Sequence, residues 1–193
     1  MSETPLSATD VAEQLAAALD AEGYDYAFGG AISLGYWGQP RGTVDVDLTL
    51  FLAPDKPSEC VRCLQQIGCD LDAAASVGSL QELGFCRVFY RGVPVDVFLP
   101  IAPFYEVARE RRKKVYIGRT VVVIWDAESL AVFKMVFFRR KDLADVEQIL
   151  RCQRPTLDRG WIRTQLIDMF GQRDPRVAEW GRLVAELDDE DSS

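Results

Sequence analysis

The sequence predicts an α/β fold of the α+β type: a mixed β-sheet with helices packed on it and a C-terminal helical extension. Three observations carry that expectation. β-rich runs alternate with helix-patterned segments as far as Trp125, and from Ala127 onward only helix-patterned segments follow. The chain has 193 residues, 48% of them hydrophobic, which is ample for a buried core and excludes a disordered chain. Its longest uncharged apolar runs, such as Thr120–Trp125, are far too short to cross a bilayer. The expected organisation is an α/β core over 1–125, a helical part packed on it over 126–187, and an acidic disordered tail over 188–193.

Each element has its own signal. Val11, Leu15, Ala18 and Leu19 recur at helical spacing after a cap at Thr9 or Asp10. Tyr24–Phe28 reads as a strand stopped by Gly29-Gly30, and Ala31–Trp37 as a short helix opening on that glycine pair. The breakers in Gly38-Gln39-Pro40-Arg41-Gly42 make a loop. Val44–Leu52 is β-rich, and Asp55–Gly68 is helical after Pro54. Phe85–Tyr90 and Val93–Leu99 flank Arg91-Gly92 as a hairpin, and Val115–Ile117 and Thr120–Trp125 flank Gly118-Arg119 likewise. Pro103–Lys114 lies between the two as a helix, and Glu128–Phe138, Lys141–Cys152, Asp158–Phe170 and Pro175–Leu187 supply the closing helices.

Composition narrows the chemistry. The chain has no histidine, which removes Ser-His-Asp and Cys-His catalysis, imidazole acid–base work and histidine-ligated zinc. The net charge of −8 gives no general affinity for nucleic acid, but most of it sits in Glu186, Asp188, Asp189, Glu190 and Asp191. Arg109, Arg111, Arg112, Lys113 and Lys114 form a local basic cluster, so a phosphate-bearing partner that meets one face remains compatible. The first residues are polar and acidic rather than basic then apolar, which points to a cytoplasmic chain without a secretory signal or a membrane role. Five cysteines make a disulfide framework unexpected. Cys60 and Cys63 share a helix face, where small buried side chains are the reading preferred over a metal or redox pair.

Three carboxylates stand where a protein ordinarily avoids them. Asp45 and Asp47 punctuate the apolar run Val44–Leu52 and, as alternate strand residues, project on one side about 7 Å apart. Asp96 is embedded in the apolar strand Val93–Leu99. Like charges so placed repel, and a hard divalent cation is the usual remedy. Gly29-Gly30 ends a strand and opens a helix shortly upstream, a corner whose backbone N–H groups suit a phosphate.

With these residues in hand, Phe28-Gly29-Gly30-Ala31 followed by Arg41-Gly42-Thr43-Val44-Asp45-Val46-Asp47-Leu48 resembles the signature of the polymerase-β-type nucleotidyltransferase superfamily. Its spacer is slightly long, and the second signature residue is Gly rather than Ser. The segment from Lys134 through Arg139-Arg140-Lys141-Asp142-Leu143-Ala144-Asp145 resembles a block of small prokaryotic nucleotidyltransferases related to the AbiEii-type toxins. The resemblance implies a metal-dependent transfer of a nucleoside monophosphate from an NTP to an acceptor hydroxyl, with release of pyrophosphate. It implies two Mg²⁺ ions, or Mn²⁺, held by Asp45, Asp47 and Asp96, with Asp96 helping to deprotonate the attacking hydroxyl. Gly29, Gly30, Arg41, Thr43, Lys134 and Asp142 would bind the nucleotide, and Lys134 would act in catalysis by neutralising triphosphate charge.

The implied acceptor is an RNA end such as a tRNA 3′ terminus, or a protein, with a cognate antitoxin as partner. The alternatives are an antibiotic-type small-molecule nucleotidyltransferase and a non-catalytic module of the same fold that binds nucleotide, RNA or a partner. For Lys134, set among Leu130, Val132, Phe133 and Met135, the competing reading is a structural ion pair with Asp142 or Asp145.

Overall fold

The computed structural model describes residues 6–190. Its elements are α1 (Ala8–Ala21), β1 (Tyr26–Phe28), α2 (Gly30–Trp37), β2 (Val46–Leu50), α3 (Pro57–Gln66), α4 (Ala73–Leu83), β3 (Phe85–Tyr90), β4 (Val93–Phe98), α5 (Phe104–Arg111), β5 (Lys113–Ile117), β6 (Thr120–Ile124), α6 (Ala127–Phe137), α7 (Arg140–Cys152), α8 (Arg159–Phe170) and α9 (Pro175–Glu190). The mixed sheet and its helices are the α+β architecture expected. Among the described residues no helix is long and apolar enough to cross a membrane.

The described chain divides into two compact units, one holding the residues up to Ile32 and Arg41–Trp125, the other Ser33–Pro40 and the chain from Asp126 onward. The first unit contains a six-stranded sheet in the order β3-β4-β2-β1-β6-β5. β2 runs antiparallel to β1 and parallel to β4, with Asp47 opposite Asp96. The hairpin β3–β4 pairs Arg87 with Asp96, and β5 closes the other edge against β6. Val46, Leu48, Val95 and Val97 point into the core from β2 and β4 and are fully buried, so Asp47 and Asp96 occupy the opposite pleat. Val11, Leu15 and Leu19 of α1 complete this core.

The second unit is helical. Leu34, Leu130, Met135, Ile149, Leu166 and Trp180 are buried in it, and α6 starts at Asp126, whose side chain accepts the Ser129 N–H at 3.0 Å.

Several boundaries depart from the sequence expectation, each for a local reason. α1 starts from Ser7 rather than Thr9 or Asp10: Ser7 and Asp10 cap each other reciprocally, at 2.9 and 3.1 Å. α4 was not foreseen at all. α5 stops at Arg111, and β5 begins at Lys113, inside the run expected to be helical to Lys114. α9 continues through Asp188 and Asp189 to Glu190, where the acidic tail was expected to be disordered from 188. Residues 191–193 of that tail lie outside the described residues.

Candidate active site

β2 begins only at Val46, so Asp45 precedes the strand instead of lying within it. The cause is Thr43. Its hydroxyl donates to the Asp45 carboxylate at 2.6 Å and lies 3.4 Å from the Asp45 backbone nitrogen, a local turn that replaces the strand ladder. Thr43 therefore orients Asp45, in the loop that the family resemblance assigns to the nucleotide. Arg41 lies exposed in the same loop.

The glycine corner touches the acids directly. Gly29 N–H donates to the backbone carbonyl of Asp47 at 2.9 Å. Gly30 has a φ of +49°, and a Cβ built there would overlap Oδ2 of Asp47 and stand 2.6 Å from its Cγ. Gly30 is thus required twice, for the left-handed turn and for the close approach of the carboxylate. A Cβ at Gly29 would meet Cδ1 of Trp125 at 3.3 Å, so the corner is held between the Trp125 indole and Asp47.

Asp96 sits across from Asp47 on the neighbouring parallel strand, on the same pleat. Sequence reasoning missed the group that stands with them. Arg87 grips Asp96 through Nε at 2.6 Å and Nη2 at 2.8 Å, and its Nη2 lies 3.9 Å from Oδ2 of Asp45. Hydrogen bonding to Asp96, then the charges of Asp96, Asp45 and Asp47, hold this guanidinium more firmly protonated than usual. The signal was available. A two-residue turn at Arg91-Gly92 places Arg87 opposite Asp96 once the hairpin is drawn.

Among the described residues no three acidic or thiol side chains are arranged to share one metal ion. The donor set itself suits a hard divalent cation, since it is made of carboxylate oxygens, and a resident cation already stands among them in Arg87.

Lys134 and Asp142 belong to the second unit. Lys134 is buried and reaches Asp145 at 2.6 Å and Asp142 at 3.6 Å. Asp142, fully buried, also takes Arg139 Nε at 2.6 Å and the Arg139 N–H at 3.2 Å. The ammonium is compensated in place by the two acids of the competing reading.

The basic cluster is partly structural. Arg109 and Arg112 both bind the Asp25 carboxylate, and their guanidinium carbons lie 4.8 and 4.6 Å from the centre of the Phe51 ring. Arg112 also donates to the Tyr26 carbonyl at 2.8 Å. Lys113 and Lys114 stay exposed at the start of the edge strand β5.

Comparison of the sequence with models of known families and with curated proteins found no match. The fold does match solved structures. A nucleotidyltransferase-like antigenic protein from Paracoccidioides brasiliensis superposes with a TM-score of 0.55 at 19% identity, over 92% of this chain and 95% of that one. The antibiotic-resistance factor ANT(2'')-Ia in complex with adenylyl-2''-tobramycin gives 0.53 at 14% identity, over 91% and 97%. The solution structure of the same factor gives 0.52 at 12% identity, over 95% and 92%. The fold is nucleotidyltransferase-like. Within it, the glycine corner, Asp45, Asp47 and Asp96 come from one unit and assemble around the β2–β4 pair.

Proposed function

We propose that the protein is a metal-dependent nucleotidyltransferase that moves a nucleoside monophosphate from an NTP to an acceptor hydroxyl and releases pyrophosphate. The observation that carries this reading is the packing of Gly30 against the Asp47 carboxylate, with Asp96 in register beside it, in a nucleotidyltransferase fold.

Asp45, Asp47 and Asp96 would hold Mg²⁺ or Mn²⁺. When bound, such ions supply activation of the attacking hydroxyl and stabilisation of charge on the leaving phosphates. The protein's own part is positional. Thr43 fixes the Asp45 carboxylate, and the Gly29-Gly30 corner brings backbone against Asp47 where a side chain at Gly30 would collide with the carboxylate. Gly29, Gly30 and Arg41 would face the nucleotide phosphates. Lys134 and Asp142 are assigned to nucleotide binding through their resemblance alone. Their mutual compensation with Asp145 and Arg139 supports a structural role at least as well.

For the acceptor, the resemblance of the Lys134–Asp145 segment favours an RNA 3′ end or a protein in a toxin–antitoxin setting. A second reading, a hydroxylated small molecule of the aminoglycoside type, draws on the fold shared with the protein bound to adenylyl-2''-tobramycin.

The test is incubation with each α-labelled NTP and Mg²⁺, offering total RNA, cell lysate protein and an aminoglycoside panel, with wild type beside Asp47→Asn. Label entering one acceptor class, and lost in the variant, is the expected result. Nucleotide that binds equally with and without Mg²⁺ and is never transferred would overturn catalysis in favour of a binding module.

A further inference from the structure

We propose that Arg87 is an internal counter-cation that occupies the acid cluster and must withdraw before a divalent ion can bind there. The inference rests on the metal-dependent reading above and adds to it a residue that competes with the metal.

Geometry makes the competition direct. Arg87 engages both oxygens of Asp96, the atoms a metal would need, and its Nη2 reaches Oδ2 of Asp45 at 3.9 Å. A carboxylate that accepts a bidentate guanidinium has its best lone pairs committed to it. The guanidinium thereby stands between Asp45 and Asp96, where the described acids fail to form a shared cage. Without any cation, Asp96 would face Asp47 as a like charge on one pleat with Asp45 nearby, and Arg87 relieves that repulsion.

Arg87 is also placed to leave. β3 is an edge strand of the sheet, paired with β4 and bridged on its outer side by Asp70 at Phe89, and the Arg87 side chain is 51% exposed while that of Asp96 is 13% exposed. A rotation of the Arg87 side chain towards water frees both Asp96 oxygens without breaking a backbone hydrogen bond, because the strand pairing does not involve the side chain. The Arg87 end of the pair is half exposed and screened by water, so a doubly charged ion, which attracts the same carboxylates with twice the charge, can compete with it.

The test is Mn²⁺ binding to the intact, nucleotide-free protein at low salt, followed by the electron paramagnetic resonance of free Mn²⁺. Wild type, Arg87→Gln, Arg87→Lys and the double variant Arg87→Gln/Asp96→Asn are compared, with circular dichroism confirming that each is folded. Arg87→Gln should bind Mn²⁺ about tenfold more tightly than wild type, since one positive charge near the acids is gone. Arg87→Lys should lie nearer wild type, and Asp96→Asn should abolish the gain. Equal or weaker binding by Arg87→Gln, with Mn²⁺ still bound by wild type, overturns the competition and leaves the metal-dependent reading intact. Failure of both proteins to bind Mn²⁺ at millimolar concentrations, with or without NTP, overturns the two together.

Discussion

Gly30 abuts the carboxylate of Asp47 so closely that any Cβ at this position would overlap Oδ2. Two penalties therefore fall on Gly30→Ala. The left-handed backbone, with φ at +49°, costs a residue with a side chain about 1–2 kcal/mol. The methyl also forces the Asp47 carboxylate out of its place beside Asp96. We expect Gly30→Ala to fold with a lowered midpoint in urea and to lose nucleotidyl transfer by about a hundredfold or more, because a small misplacement at a reacting centre is that costly. Urea denaturation and the labelled-NTP assay measure the two effects separately. A variant that keeps full transfer would remove Asp47 from the reacting centre.

Thr43→Val isolates the turn that holds Asp45. The hydroxyl donates at 2.6 Å to the charged carboxylate, and valine keeps the shape while removing the donor. A hydrogen bond to a charged group contributes about 1.5–3 kcal/mol to stability, so the melting temperature should fall by several degrees, and transfer by about tenfold or more as Asp45 loses its orientation. Thr43→Ser should restore most of the loss, since it returns the hydroxyl alone. Rescue by serine separates orientation of Asp45 from packing of the Thr43 methyl group.

Lys134 and Asp145 form a buried ion pair in the helical unit, with side chains 7% and 5% exposed and 2.6 Å apart. Removing one member leaves the other charged and dry, which costs about 3–5 kcal/mol. Lys134→Met should therefore melt far below wild type, whatever it does to activity. Lys134→Met with Asp145→Leu should recover much of that stability, as Asp142 retains Arg139. A double-mutant cycle from urea denaturation gives the coupling. A Lys134→Met protein as stable as wild type that fails only in transfer would reverse the assignment and return Lys134 to the triphosphate.

The acid cluster was legible in the sequence because carboxylates inside apolar runs are conspicuous, and the hairpin was legible because Arg91-Gly92 separates two β-rich runs. Only the two together show the register that sets Arg87 against Asp96. Asp45 falls outside the strand that alternation predicts, because periodicity cannot register a threonine hydroxyl that captures the chain two residues on. α4 escaped because Ala73-Ala74-Ala75-Ser76-Val77-Gly78 has no polar stripe to oppose an apolar one. Only its ends speak, with Asp72 accepting the Ala75 N–H and Gly84 closing the helix at φ +63°. α5 is shorter than the sequence predicts because a run of basic residues conceals its end. The helix stops where Arg112 turns its guanidinium back to Asp25 and the Tyr26 carbonyl, a tertiary tie that local pattern does not carry.

The cysteines give a prediction that needs no substrate. Cys60, Cys63, Cys69 and Cys86 are buried, whereas Cys152 is exposed on α7. Burial pushes the buried thiols upward from an ordinary value near 9, to about 11 for Cys63 and Cys86 and about 12 for Cys69, and Cys60 is raised as well. Such thiols present no thiolate at pH 8, so a disulfide reagent should modify one thiol rapidly in the native protein and all five after denaturation. Cys152→Ser should abolish the fast phase. The same shifts contribute to the alkaline limit of stability, together with the Tyr26 and Tyr105 hydroxyls, which burial also pushes upward. Because the folded values lie above the unfolded one, the stability they contribute is complete below about pH 9. It drains away as the pH rises towards about 11–12, where the folded thiols also ionise. Urea midpoints measured from pH 8 to 11 should fall steadily. Cys63→Ala and Cys86→Ala should each flatten that fall, and a flat profile in wild type would show that the thiols meet water in the folded chain.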